Sequence, residues 1–387
     1  MTFLLPQARP TFAAALRDVN AKAQQARLAA AERLAQADEH ELSDAVRALC
    51  AISADREAIV RAAGLRGLGE IAAREQDPDA DVAIAQPSAL ADDEAVLEAL
   101  AQRMEDTSPI VREVATIALG QVGGPRCHRM LERALRSEHP AVRFQALAGY
   151  VETSDGAEPR KVIALLSDAD AEVRGQAARA LATLISVAPD ARPSVIAALK
   201  GALEDTSTRT RAEVALALAR LGDASGSALF GGALKDPTLR GETLEAIAAL
   251  SLTSHADSIA RIARNVFTSP FDRIAIARTL VRLGDARGVE LLRTALGGLR
   301  TAPRLLAVQA IGELGLAELA PAVAKLAERP RGVDATTLVG ALAALATKSP
   351  EARAGLERLA AGRGRSAELA AAELNTRAAL SERSSAE

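Results

Sequence analysis

Apolar residues recur at intervals of three and four through most of the chain, in runs of about three turns broken by short polar stretches. That period belongs to amphipathic helices. One arrangement keeps returning inside it, seen in DTSPIVREVATIALGQVGG (Asp106 to Gly124), where an Arg opens an apolar run that closes on Gly. Taking that Arg as an anchor gives Arg61, Arg112, Arg143, Arg174, Arg211, Arg240, Arg273 and Arg304, at spacings of 51, 31, 31, 37, 29, 33 and 31 residues. Seven positions after each anchor stand Leu68, Leu119, Tyr150, Leu181, Leu218, Ile247, Leu280 and Ile311, all bulky. One position earlier stand Gly67, Ala118, Gly149, Ala180, Ala217, Ala246, Thr279 and Ala310, all small. A large residue beside a small one at the same place in every copy lets neighbouring helices approach without voids.

Eleven positions after the anchor, Gly123, Gly222, Gly284 and Gly315 supply the left-handed residue that ends a helix. Before each anchor lies a second apolar run, such as CHRMLERAL or VELLRTAL, which predicts a partner helix. Between the two come Asp106, Asp168 and Asp205, six before their anchors, and Pro109, Pro140, Pro237 and Pro270, three before. They read as turn and capping residues. Each unit is therefore a helical hairpin, and a hairpin buries its apolar face only by stacking on its neighbours. The predicted fold is all-α, a right-handed α-solenoid of about ten stacked hairpins. Weaker copies around Arg27 and Ala335 extend one array over residues 1–380, with an acidic loop inserted at about 74–94 and a flexible tail at 381–387.

Composition agrees with close helix packing: hydrophobic residues make up 49% and aromatic residues only 2%, so Ala, Leu, Val and Ile must fill the core. Arg outnumbers Lys by 41 to 6, yet the net charge is −3, which gives no overall pull toward nucleic acid or membrane. The apolar start MTFLL breaks at Pro6 without a basic region before it, and no apolar run reaches a membrane span. With two cysteines, Cys50 and Cys127, both in helical patterns, the expectation is reduced thiols in a cytoplasmic protein without membrane insertion.

LVRLGDARGVELLRTAL (Leu280 to Leu296) and the Asp106 to Arg126 stretch resemble HEAT repeats, in the short form of about 31 residues also found in phycobilisome lyases. The resemblance covers roughly residues 40 to 350 and implies a fold shared by scaffolds, transport factors, a few lyases, a DNA glycosylase group and a metal hydroxylase. It also implies that the repeated Asp and Arg form a structural ladder between neighbouring repeats. The matching positions are Asp55 with Arg61, Asp106 with Arg112, Asp168 with Arg174 and Asp205 with Arg211, with Arg143 in the same row. An Arg fork can hold a carboxylate and turn carbonyls together.

Each enzymatic branch of the resemblance requires its own residues. The hydroxylase's several His-Glu pairs reduce here to His40-Glu41, and His128, His139 and His255 fall in no ligand spacing. A base-flipping enzyme needs aromatics and a basic face, whereas the face five and nine positions after each anchor carries mixed charge and the chain has no Trp. No nucleic acid is expected. A bilin lyase needs aromatic walls and Arg for propionates; Arg278 and Arg282 could serve, but Tyr150 falls in the core row. No catalytic residue, metal or cofactor is assigned.

Charge is distributed unevenly. Residues 70–106 hold eleven acids against two arginines, a net of −9, whereas 261–304 hold nine arginines against three acids, a net of +6. Within the basic stretch, Arg264, Phe267, Phe271, Ile274, Arg278 and Arg282 form a candidate partner-binding surface, since Arg beside apolar groups is favoured at interfaces. Core packing is nevertheless the favoured reading of its phenylalanines. The expected function is a non-enzymatic scaffold or adaptor for another protein with an acidic segment, with self-association between the oppositely charged stretches as a further option. A bilin lyase is the alternative.

Overall fold

The computed structural model describes residues 10–74, 87–153, 158–186, 188–329 and 332–386, and for 377–386 the backbone alone. Helices, 3-10 turns and loops account for these residues, with no strand among them. They divide into two compact units, Met1–Gly226 and Ser227–Glu387, where the repeats predict one array. The division falls beside the shortest helix, the four-residue Phe230–Ala233, which contains Gly231 and Gly232. Glycine costs a helix about 1 kcal/mol relative to Ala.

The first unit holds six hairpins: α1 (Phe12–Asp18) with α2 (Gln24–Leu34), α3 (Leu42–Ile52) with α4 (Ala58–Arg74), α5 (Glu94–Met104) with α6 (Pro109–Val122), α7 (Gly124–Ala134) with α8 (Pro140–Glu152), α9 (Pro159–Ala164) with α10 (Ala171–Leu184), and α11 (Arg192–Gly201) with α12 (Thr208–Arg220). Here α2, α4, α6, α8, α10 and α12 pack one on the next. The second unit holds five: α13 (Phe230–Ala233) with α14 (Pro237–Ala249), α15 (Ala256–Arg264) with α16 (Pro270–Arg282), α17 (Ala286–Gly297) with α18 (Thr301–Leu314), α19 (Ala320–Ala324) with α20 (Ala335–Ala346), and α21 (Pro350–Ala360) with α22 (Arg365–Ala386). Its second helices, α14 to α22, stack in the same way. Each unit is thus an α-solenoid of HEAT-like hairpins.

The bulky row forms the core: Leu68, Leu119, Tyr150, Leu181, Leu218, Ile247, Leu280 and Ile311 are all 0% exposed. Burying one such Leu or Ile stabilises the fold by about 1.5–3 kcal/mol. The small row lets backbones meet. A Cβ built on Gly120 of α6 would lie 3.1 Å from the Gly149 Cα of α8, and one on Gly312 of α18 only 2.8 Å from the Ala341 Cα of α20. The helix-ending glycines take the expected conformation, with φ of 72° at Gly123 and Gly222, 76° at Gly284 and 63° at Gly315.

Three local expectations change. The caps of α10 and α12 are Asp170 and Ser207, four before the anchor; the Asp residues six before do other work. Of the acidic insertion, residues 75–86 lie outside the described residues, but its last part is folded rather than looped. Ser88 is buried and donates its amide to the Val122 carbonyl, Leu90 and Ala91 are buried, and Asp93 caps α5. Finally, the backbone of α22 runs on to Ala386, so helix replaces most of the tail expected at 381–387.

Candidate functional site

Every anchor is the fourth residue of its second helix, from Arg27 in α2 to Arg304 in α18. This places the guanidinium over the turn that leads into the helix. Arg61 shows the pattern: Nη1 donates to the carbonyls of Asp55 and Arg56 at 2.9 and 3.1 Å, while Nε and Nη2 donate to the two carboxylate oxygens of Asp106 at 2.8 and 2.7 Å. Arg27 repeats it with Asp55, Arg143 with Asp168, and Arg174 with Asp205. The rungs therefore join successive hairpins. Asp106 gives its carboxylate to Arg61 of the preceding hairpin and only its carbonyl, at 2.6 Å, to Arg112. This corrects the pairing within one repeat, and the same holds for Asp168 with Arg174 and Asp205 with Arg211.

Each of these aspartates also accepts the amide two residues on, for example Ser108 to Asp106 at 2.9 Å. Burial alone would raise the Asp106 carboxyl, but hydrogen bonds from Arg61, the Ser108 amide and Arg103 outweigh it and hold the pKa below the ordinary Asp range. Asp168 is depressed in the same way against its burial, through Arg143. The row ties hairpins together, and its donors and acceptors are used up within the chain. It offers no ligand site where it is complete.

The candidate surface in the second unit is different. After Arg264 ends α15, a turn is fixed by the Phe267 amide on Asn265 Oδ1 (3.0 Å), the Thr268 hydroxyl on the Ile262 carbonyl (2.6 Å) and Arg273 Nη2 on the Asn265 carbonyl (3.0 Å). On this pinned turn Val266 is 80% and Phe267 93% exposed, and Phe271 follows at 54%. The core reading of the two phenylalanines does not hold. Beside the turn lies a cleft of about 470 Å³ whose charged lining residues are Lys235, Arg240 and Arg261, with Ile262 and Phe267 as apolar wall. Arg240 is bound by Asp272 at 2.8 Å. Lys235 and Arg261 have no carboxylate partner among the described residues, and no acid lines the cleft.

The other predicted surface residues are not part of this site. Ile274 is 4% exposed and packs in the core of the second unit, because it lies on the inward side of α16. Arg278 pairs with Glu313 at 2.7 Å and Arg282 with Glu245 at 2.6 Å, so their charges tie α16 to α18 and α14. Sequence reasoning missed Val266, Lys235 and the fully exposed Leu299 in the next turn. A signal existed: NVFTSP sits between a helix's closing Arg and a Ser-Pro helix start, where an apolar residue shares no helical face.

The family model for HEAT repeats matches residues 65–150 and 159–251. The chain contains HEAT repeats. An uncharacterized phycocyanin operon protein Z of Pseudanabaena tenuis (strain PCC 7409) is 29% identical to it over 111 residues, 28% of this chain and 54% of that one. The HEAT-repeat chain thus spans about half the length of this curated relative. Among solved structures, yeast importin-beta (Kap95p) is similar with a TM-score of 0.56 at 14% identity, covering 93% of this chain and 56% of that one. This is a likeness of fold. The complex of CpcE and CpcF of phycocyanin lyase from Nostoc sp. PCC7120 aligns at 18% identity over 76% of this chain and 99% of that one. Its TM-score of 0.34 is too low to bear on function.

Among the described residues, several groups able to do chemistry are engaged within the chain. Asp38, His40 and Glu41 lie within ligand distance of one another, but Glu41 Oε2 accepts the Asp38 amide at 3.3 Å and Arg33 at 3.1 Å, in a capping box. His128 stacks on Tyr150 with ring centroids 4.5 Å apart. Burial pushes the Cys127 thiol up to about 12 and Cys50 to about 11, which leaves both protonated at neutral pH. No described helix is long and apolar enough to cross a membrane.

Proposed function

We propose that the chain is a non-enzymatic docking scaffold whose second unit grips an acidic segment of another protein on the Asn265 to Phe271 turn. The observation that carries this reading is Phe267, 93% exposed on a turn pinned by hydrogen bonds. A large ring held out in water by a rigid backbone loses little entropy when a partner covers it. The cleft beside it supplies the charge preference. Lys235 and Arg261 line it with no carboxylate partner among the described residues, so a partner carboxylate would meet two unpaired cations next to an apolar wall. Yeast importin-beta (Kap95p), of similar fold, binds RanGDP in one solved structure, which supports a protein as the occupant of such a fold.

The test replaces Phe267 by a photo-crosslinking phenylalanine analogue in the full chain, within its native cell. One protein crosslinked at this position, and lost in a Lys235→Glu/Arg261→Glu background that keeps its helicity, is the expected result. Crosslinks unchanged by the two charge reversals would remove the acidic-segment reading. The bilin-lyase reading is supported by the name of the phycocyanin operon relative. Against it, the two arginines suited to propionates already hold Glu313 and Glu245. An absorbance band appearing when the purified chain is mixed with free bilin would move the assignment there.

A further inference from the structure

One rung of the ladder in the first unit is half made. Arg112 places Nη1 as every other rung does, on the carbonyls of Asp106 and Thr107 at 2.6 and 3.2 Å. In the four complete rungs the remaining edge, Nε and Nη2, meets an Asp six residues before the next anchor. Six before Arg143 the chain has Ser137. Arg112 Nε is buried and has no hydrogen-bond partner. The guanidinium cannot shed its charge, so a cation is held ready beside a position where its counter-charge is missing. What stands there is a hydroxyl.

We propose that Ser137 is a phosphorylation site and that its phosphoryl group completes the rung to Arg112. The half-buried Ser137 lies in the short turn between α7 and α8, flanked by exposed Arg136 and Glu138. Its Oγ accepts only the His139 amide, at 3.2 Å, the weak counterpart of the Asx contact made by the aspartates. α8 begins at Pro140 with no side-chain cap on its N-terminus, whose free amides favour an anion nearby. Glu138, next to it in the chain, carries an opposing charge and faces His139 at 3.5 Å. In the reaction a serine kinase directs Ser137 Oγ onto the γ-phosphorus of a nucleoside triphosphate. The Oγ–P bond forms as the bond to the bridging oxygen breaks, the nucleoside diphosphate leaves with the electron pair, and the hydroxyl proton is released. A phosphoserine reaches one bond further than Asp, and its dianion makes charge-assisted bonds to an Arg fork. Phosphorylation would thereby tighten the junction of α6 with α8. This inference does not depend on the docking turn of the second unit.

The test incorporates phosphoserine at position 137 by codon reassignment in the full chain and follows thermal unfolding of the first unit. The modified protein should melt about 2–4 °C above the unmodified one. Arg112→Lys, which keeps the charge and loses the fork, should abolish most of that gain, whereas Arg61→Lys, on a rung that does not face Ser137, should leave it intact. A phosphoserine that lowers or fails to move the midpoint, or a gain surviving in Arg112→Lys, overturns the pairing. Incubation with native extract and ATP, followed by mass spectrometry of the tryptic peptide Ser137–Arg143, tests the modification itself. Labelling at other serines with this peptide unmodified overturns the assignment.

Discussion

Ser137→Asp should stabilise the first unit, and the four complete rungs say by how much. The substitution places a carboxylate where Asp55, Asp106, Asp168 and Asp205 stand, against an Arg whose Nη1 bonds already fix its orientation. Little further side-chain entropy is lost, because the fork is ordered before the partner arrives. The Arg112 Nε is already desolvated and unpaired, a condition that costs about 1–3 kcal/mol for a buried polar group. Against this stands the cost of desolvating the new carboxylate; Asp168 in the equivalent position is 7% exposed in its side chain. The net gain should be about 1–2 kcal/mol, a rise in midpoint of about 2–8 °C. Urea unfolding followed by circular dichroism measures it, with Ser137→Asn as an isosteric control that lacks the charge. If Asn stabilises as much as Asp, or if Asp still stabilises after Arg112→Ala, the ladder argument for this position is wrong.

Five further outcomes follow from the geometry. Asp106→Ala leaves Arg61 buried without its counter-charge and should cost about 3 kcal/mol in denaturant unfolding, more than Arg112→Ala, which has no carboxylate to orphan. Because the Asp106 and Asp168 carboxyls sit below the unfolded value of about 3.9, their contribution is full above that pH and is lost as pH falls through the lower folded values. The melting midpoint should therefore hold from pH 7 to about pH 5 and drop below about pH 4, less steeply in Asp106→Asn. Gly312→Ala should destabilise the second unit by about 1–3 kcal/mol, since its Cβ would lie 2.8 Å from the Ala341 Cα. Gly340→Ala in α20, where a Cβ meets nothing within 4 Å, should stabilise by about 0.5–1 kcal/mol in the same assay. Phe267→Ser should leave the melting curve within about 0.5 kcal/mol of wild type while removing the crosslinks that a photo-crosslinking analogue at Phe271 makes to the partner.

Much of the fold was legible because each hairpin repeats one solution. The large and small rows had to alternate for α4, α6 and α8 to pack, so Leu68, Leu119 and Tyr150 could be assigned to the core from spacing alone. The direction of the rungs could not. Asp106 is six residues from Arg112 and 45 from Arg61, and only the stacking of α4 on α6 decides which of them receives its carboxylate. The surface was harder still. A helical period explains Ile274, yet the sequence shows no sign that Glu313 and Glu245 reach Arg278 and Arg282. Phe267 stood among the surface candidates, but its exposure could not be read from a period: it follows from a turn held by Asn265 and Thr268. The division at Gly226 was likewise hidden, because the anchor spacing of 29 residues across it looks regular.

The rungs also bear on how such a chain can grow. Each complete repeat carries one acceptor for the hairpin before it and one donor for the hairpin after it. A tandem duplication of about 31 residues therefore arrives already compatible with both flanks, and no second mutation is needed to join it. The unit of inheritance is the turn together with its helix, not the helix alone. A copy of the segment containing Ser137 would break this rule, since it would bring a donor without an acceptor and so add another open joint. Lengthening by whole repeats is easy in this architecture wherever the aspartate is present, and harder at a turn that lacks it.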